Sequence, residues 1–181
     1  AAEIIAARKR IQTTMAARAG TRITLSDGVS TVILPNGWTR TPMGSQSQET
    51  QVGTFTYKGD LLSPSNGQTF VVFWFHYFPD NINVESFLTQ DKIEQAKNQL
   101  RAQAGVGTQL AKALVGAKMM RGTLGGLSGI TMIPGKNSNL PAGLTARATI
   151  VGRGSKMYIM HAVLPTTDKN YGLIVNSFQP R

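Results

Sequence analysis

His76 and His161 are the only histidines in this chain, and cysteine is absent. A zinc site usually takes three or four nitrogen, sulfur or oxygen ligands. Without thiolates, such a site here would need carboxylates, and the nearest in sequence to His76 are Asp80 and Glu85. His76 lies inside the apolar run Thr69–Phe78, and His161 shares a strand-like stretch with Ile159. Both read as core or rim side chains, and no metal ligand is assigned. The missing cysteines also exclude disulfides and thiolate catalysis. No Gly-x-Ser-x-Gly elbow presents a nucleophile. The carboxylates available for acid–base pairing, Asp80, Glu85, Asp91 and Glu94, gather near one helical segment that needs them for solubility. No catalytic residue, no cofactor and no small-molecule substrate is therefore expected.

Two glycine-bearing stretches could hold phosphate, and both fail on spacing. Five residues separate Gly129 from Gly135, Pro134 removes an amide donor, and Asn137 stands where a P-loop has Ser or Thr after Lys136. Gly122–Gly129 contains Gly125-Gly126 but is followed by no carboxylate about 20 residues later, as a dinucleotide fold requires. It reads as a loop.

Charge is the stronger signal. The 181 residues carry a net charge of +10, and its distribution is uneven. Residues 1–94 hold eight Lys/Arg and eight Asp/Glu, whereas residues 95–181 hold eleven Lys/Arg and Asp168 alone. The 73 residues between Glu94 and Asp168 contain no carboxylate. Such a stretch projects a positive field towards an anionic partner. The candidate partner-binding residues are Arg147, Arg153, Lys156, Lys118, Arg121 and Lys136, centred on the 152–155 turn, unless Asp80, Glu85 or Asp91 folds beside them. Nucleic acid or an anionic membrane is the alternative partner. A single-strand reader also needs exposed aromatics for base stacking, and this half offers Tyr158, Tyr171 and Phe178.

The elements that must position these groups follow from periodicity. Residues 3–19 read as a helix with Ile4, Ile11 and Met15 near one stripe, stopped by Gly20. Thr21–Leu25 and Val29–Leu34 flank Ser26-Asp27-Gly28 as a hairpin. Residues 41–51 and Lys58–Gln68 read as polar loops on either side of a strand Gly53–Tyr57. Thr69–Phe78 is apolar on both faces, with Phe73 on one and Trp74 on the other, which marks a central strand covered on both sides. Asn83 is placed to cap a short turn from Val84, followed by a helix over about 90–104, and a second short helix is compatible with the spacing over 110–117. Leu144–Val151 and Lys156–Leu164 form a hairpin in which Ile150 faces Met157, and Leu173–Phe178 closes the chain as a helix. No apolar run approaches the ~20 residues of a membrane span.

In their order these features resemble the PsbP-like family and its relatives, the Ran-binding Mog-type proteins and the bacterial DcrB-type lipoproteins. The matching pieces are the strand into Pro35-Asn36-Gly37-Trp38, the long apolar strand followed by a helix, the late hairpin through Gly152-Arg153-Gly154, and the closing Asn176-Ser177-Phe178. The resemblance spans about residues 22–178. It implies an α+β fold, an antiparallel sheet sandwiched between helices (α-β-α); the periodicity adds residues 1–20 as an N-terminal helical extension before a single domain, 21–181. The resemblance also implies a non-enzymatic accessory protein in an extracytoplasmic compartment (periplasm or thylakoid lumen), and the basic half adds the expectation that it docks an acidic protein surface or larger complex. The basic bias and the N-terminal helix depart from the family pattern, and no metal ligands of the family map onto positions here.

Overall fold

The structure, a computed structural model, describes residues 6, 9, 19–51, 53–65, 69–89, 91–92, 117–135, 142–165 and 167–181. Nine strands run through them: β1 (Gly20–Thr24), β2 (Thr31–Pro35), β3 (Trp38–Thr50), β4 (Gly53–Pro64), β5 (Phe70–Tyr77), β6 (Lys118–Leu124), β7 (Leu127–Ile133), β8 (Leu144–Arg153) and β9 (Lys156–Pro165). A 3-10 turn occupies Val84–Phe87, and a helix, α1, spans Asn170–Ser177. β1 and β2 form a separate hairpin, and the other seven strands make one sheet in the order β3-β4-β5-β9-β8-β7-β6. Every pairing is antiparallel.

β5 lies inside the sheet between β4 and β9 because its alternation offers apolar side chains to both faces. Val71, Phe73 and Phe75 point to one face and are almost completely buried. On that face they meet Leu62 of β4, Tyr158, Met160, Ala162 and Leu164 of β9, and Val151 of β8. The β1–β2 hairpin covers them with Val32 and the adjoining Leu25, and α1 and the residue after it cover them with Ile174 and Phe178. The Phe178 ring stacks on Phe73 at 5.0 Å between centroids. The opposite face of β5 carries Trp74 and His76, each half-buried. Trp74 lies so close over β4 that a Cβ on Gly59 would stand 2.6 Å from its ring.

Polar contacts fasten the hairpin to the sheet. The carboxylate of Asp60, fully buried on β4, accepts from the Ser26 amide and hydroxyl at 2.7 Å each and from Arg40 Nε at 2.7 Å. Asp27, next in the same turn, accepts from the Ser30 amide at 2.9 Å and from Lys156 Nζ of β9 at 2.7 Å. At the far side, Ile33 N–H donates to Ser177 Oγ at 2.8 Å, which ties β2 to the end of α1. Each bond satisfies a group that would otherwise be buried without a partner.

Several expectations stand. The first hairpin, the internal position of β5 and the closing helix are present, and Asn83 Oδ1 caps the short turn by accepting from the Glu85 amide at 3.1 Å. The fold class needs correction. Among the described residues the chain is mostly β, a seven-stranded antiparallel sheet with one α-helix, not a sheet sandwiched between helices. The core face is closed by a β-hairpin together with α1. The expected loops over 41–51 and 58–68 are largely strands β3 and β4: the polar, glycine- and serine-bearing alternation of β3 suits the edge of the sheet, and β4 lies inside it with Asp60 and Leu62 buried. Gly122–Gly129 is a hairpin rather than a loop: Gly125 and Gly126 take φ of 59° and 79°, the conformation a two-residue turn needs between β6 and β7. The late hairpin runs two residues further than expected, pairing Ile150 with Ile159 and Gly152 with Met157. It turns at Gly154-Ser155, where glycine accepts φ of 56°. A shift of two preserves the faces. Ala6, Lys9, Ala19, Asp91 and Lys92 are helical positions. Ala117 is buried and not helical, and the remainder of the expected helices over 3–19, 90–104 and 110–117, and Lys136, lie outside the described residues.

The two faces of β5 should respond unequally to truncation. Phe73→Ala is expected to cost about 3–5 kcal/mol, and Trp74→Ala about 1–2 kcal/mol because its ring keeps part of its contact with water. Urea denaturation of both variants checks this; equal losses would contradict the one-sided core.

Candidate partner-binding face

The outer strands β8, β7 and β6 carry the cations singled out by the charge pattern. The pairs Met120–Thr131 and Thr131–Thr149 set one rung across them, with these side chains on the α1 side of the sheet. Arg147 and Lys118 stand two residues from that rung along β8 and β6, so alternation places them on the same side. Arg121, next to Met120 on the edge strand β6, belongs by the same alternation to the opposite side of the sheet and borders this side at the edge. All three are exposed. The Arg147 guanidinium lies over the Tyr171 ring of α1 at 5.4 Å, a cation–π contact that holds it in place. A groove of about 340 Å³ runs between α1 and these strands, lined by Arg121, Arg147, Thr131, Thr149, Tyr171 and Asn176 among others, with no carboxylate in its wall.

Arg153 and Lys156 go elsewhere. Arg153 is exposed at the β8–β9 turn, six residues and therefore about 20 Å along the strand from Arg147. Lys156 is drawn inward. Its ammonium pairs with Asp27, donates to the Arg181 carbonyl at 3.2 Å, and lies 4.8 Å from the Tyr158 ring centroid and 5.2 Å from that of Tyr77. The 152–155 turn is thus not where the cations converge. Asp80 and Glu85 are exposed and enter no ion pair among the described residues. The neutralising acid is Asp27, 129 residues away in sequence, which charge counting along the chain could not reveal.

The ionisation of this pair follows its surroundings. Burial opposes the charge on Lys156, but the hydrogen bond and charge of Asp27 outweigh it, and its pKa rises above 10.5. Burial likewise opposes the Asp27 carboxylate, but hydrogen bonds from Lys156 and Ser30 lower its pKa below 3.8. The contribution of Asp27 to stability is therefore present above its unfolded pKa and lost as pH falls through the folded value.

The two histidines meet on the opposite face of the sheet. Phe55, Tyr57, Trp74, His76, Ile159 and His161 line a shallow pocket of about 270 Å³, with Tyr57 stacked on His76 and edge-on to Trp74. Desolvation lowers the pKa of both histidines from 6.5, and the nearby His161 adds to the shift at His76. No cluster of three or more His, Asp or Glu that could hold a metal occurs among the described residues.

No protein-family profile matches this chain, and no curated protein matches it by sequence. Solved structures similar to it include the following two. Cyanobacterial PsbP (CyanoP) from Synechocystis sp. PCC 6803 aligns over 90% of this chain and 94% of its own, with a TM-score of 0.52 and 11% identity. A crystal structure from Bacteroides thetaiotaomicron VPI-5482 aligns over 90% of this chain with a TM-score of 0.46 and 10% identity, and this chain spans about half of its length, 49%. The first likeness shows a PsbP-like fold, in line with the resemblance read from Pro35-Asn36-Gly37-Trp38 and the closing Asn176-Ser177-Phe178. No described helix is long and apolar enough to cross a membrane.

Acid should destabilise the protein through its histidines. Because their folded pKa values lie below 6.5, the unfolded chain takes up protons first as pH falls below 6.5. Their contribution is therefore complete above that pH and is lost on the way down to the folded pKa values. The urea midpoint is expected to fall between about pH 7 and pH 5, and a His76→Gln, His161→Gln double variant should lose that part of the decline. An unchanged pH profile in the double variant would contradict it.

Proposed function

We propose that this chain is a non-enzymatic accessory protein that docks on an acidic protein surface through the cationic side of β6–β8. The carrying observation is the distribution of its acids. Among the described residues, Asp27 is held by Lys156, Asp60 by Arg40, and Asp168 accepts from the Asn170 and Tyr171 amides at the start of α1. Lys118, Arg121 and Arg147 are left exposed without an ion pair among those residues. Uncompensated cations on one face steer an anionic partner and set its orientation. The PsbP-like fold supports the accessory role, and an extracytoplasmic setting belongs to the same proposal. Arg153 and Lys136 remain part of the proposed basic half, with Arg153 at its far end; Lys156 acts in it as the clamp on Asp27.

Against single-stranded nucleic acid stands the placement of the aromatics. Tyr158 and Phe178 are buried at 2% and 3% exposure, and Arg147 lies over the half-buried Tyr171, so the described residues of the basic half offer no fully open ring for base stacking.

Association with an immobilised glutamate-rich protein or peptide should weaken as salt rises beyond about 0.15 M, where charges are screened over roughly 8 Å. Arg121→Glu with Arg147→Glu should slow association about tenfold or more and leave stability within about 1 kcal/mol. Kinetics across a salt series check both. Unchanged association by the double reversal would contradict the proposal, as would tighter binding to duplex DNA than to the acidic probe under the same salt.

A further inference from the structure

We propose that the groove between α1 and β6–β8 is a carboxylate-binding recess that seats one acidic side chain of the docking partner. This rests on the docking reading above and adds to it a specific anchoring site. Its floor is a pair of threonines. Thr131 and Thr149 face each other across β7 and β8, with only 8% and 3% of their surface exposed, and their Oγ1 atoms are 3.0 Å apart. Two hydroxyls in contact carry two protons, and their mutual bond uses one. The second O–H has no acceptor among the described residues, and both side chains line the groove.

The walls add donors and little else that could accept. Arg147 is fixed over Tyr171, and its guanidinium makes no side-chain hydrogen bond among the described residues. Arg121 borders the groove from the edge strand, its own side of β6 being the opposite face, and the Asn176 amide lies on the α1 side. A guanidinium offers parallel N–H groups that match the two oxygens of a carboxylate. A recess with the Arg147 guanidinium, a spare hydroxyl proton and no carboxylate in its lining lacks an oxyanion acceptor. A glutamate or aspartate side chain supplies one, with an aliphatic stem short enough to lie against Tyr171 and Val175, which also line the groove.

The test is calorimetric titration of a short, blocked glutamate–glycine peptide, with its glutamine counterpart as control, into the wild type and four variants. Thr149→Val and Thr131→Val keep shape and remove the hydroxyl; Thr149→Ser restores it in a smaller side chain; Arg147→Gln removes a guanidinium. The expected result is a fall in affinity of roughly fivefold for each valine variant. The salt dependence should stay unchanged, and the serine variant should retain near wild-type affinity. Arg147→Gln should lower both affinity and salt dependence, and the glutamine peptide should not bind. If both valine variants remain folded and bind as the wild type does while Arg147→Gln weakens binding, the recess is overturned and the docking face stands. If the wild type binds no acidic peptide at low salt, the docking reading itself fails. If inorganic phosphate displaces the peptide at a lower concentration than acetate does, the site is a phosphate site and the carboxylate assignment is overturned.

Discussion

Lys156 carries its charge into a half-buried position among the rings of Phe75, Tyr77 and Tyr158, and Asp27 meets it there at 2.7 Å. An ammonium so placed needs an anion, because the aromatic faces replace only part of its lost hydration. Asp27 in turn is oriented by Ser30, whose amide and hydroxyl it accepts. One turn of four residues is thereby locked against the middle of the sheet from one side, and Asp60 with Arg40 and Ser26 grips it from the other. The hairpin that closes the core depends on this double hold. Val32, Leu25 and the contacts of β2 with α1 follow from it, as does the packing of Phe178 against Phe73.

The same pairing decides what the surface can do. Lys156 stands in the basic half of the chain, but its charge is used internally. The cations that form no ion pair among the described residues lie on the outer strands, where Arg147 rests on Tyr171 and Lys118 and Arg121 occupy the sheet edge. A fixed guanidinium on an aromatic ring loses little freedom on binding, which favours specific over diffuse recognition. The edge strand is protected from pairing with other chains by the same charged side chains.

How far the sequence reveals this depends on the range of each interaction. β5 was legible because its period-two alternation is local and both faces are apolar. The β8–β9 hairpin was legible in existence but not in register, since Gly152 and Gly154 both offer turns and the choice rests on cross-strand packing. β3 was hidden: Thr41–Thr50 is polar, contains Pro42 and Gly44, and changes register between Pro42 and Ser45, all of which read locally as loop. The two-layer closure of the core was hidden for the same reason, because four strands of the sheet had been given to loops wholly or in part. The candidate cations were legible as a charge excess. Their sorting into clamp and binding face was not, because Asp27 and Lys156, or Arg147 and Tyr171, are joined by the fold alone.

That sorting is tested most directly by comparing Lys156→Met with Arg147→Gln for both melting temperature and affinity towards an acidic peptide. Loss of one partner from a partly buried pair costs about 2–4 kcal/mol, so Lys156→Met is expected to lower the melting temperature by roughly 5–15 °C. The folded variant should bind as the wild type does. Arg147→Gln should shift melting by no more than about 2 °C and weaken binding. A Lys156→Met protein that melts like the wild type and binds as poorly as Arg147→Gln would contradict the division of the cations into clamp and binding face.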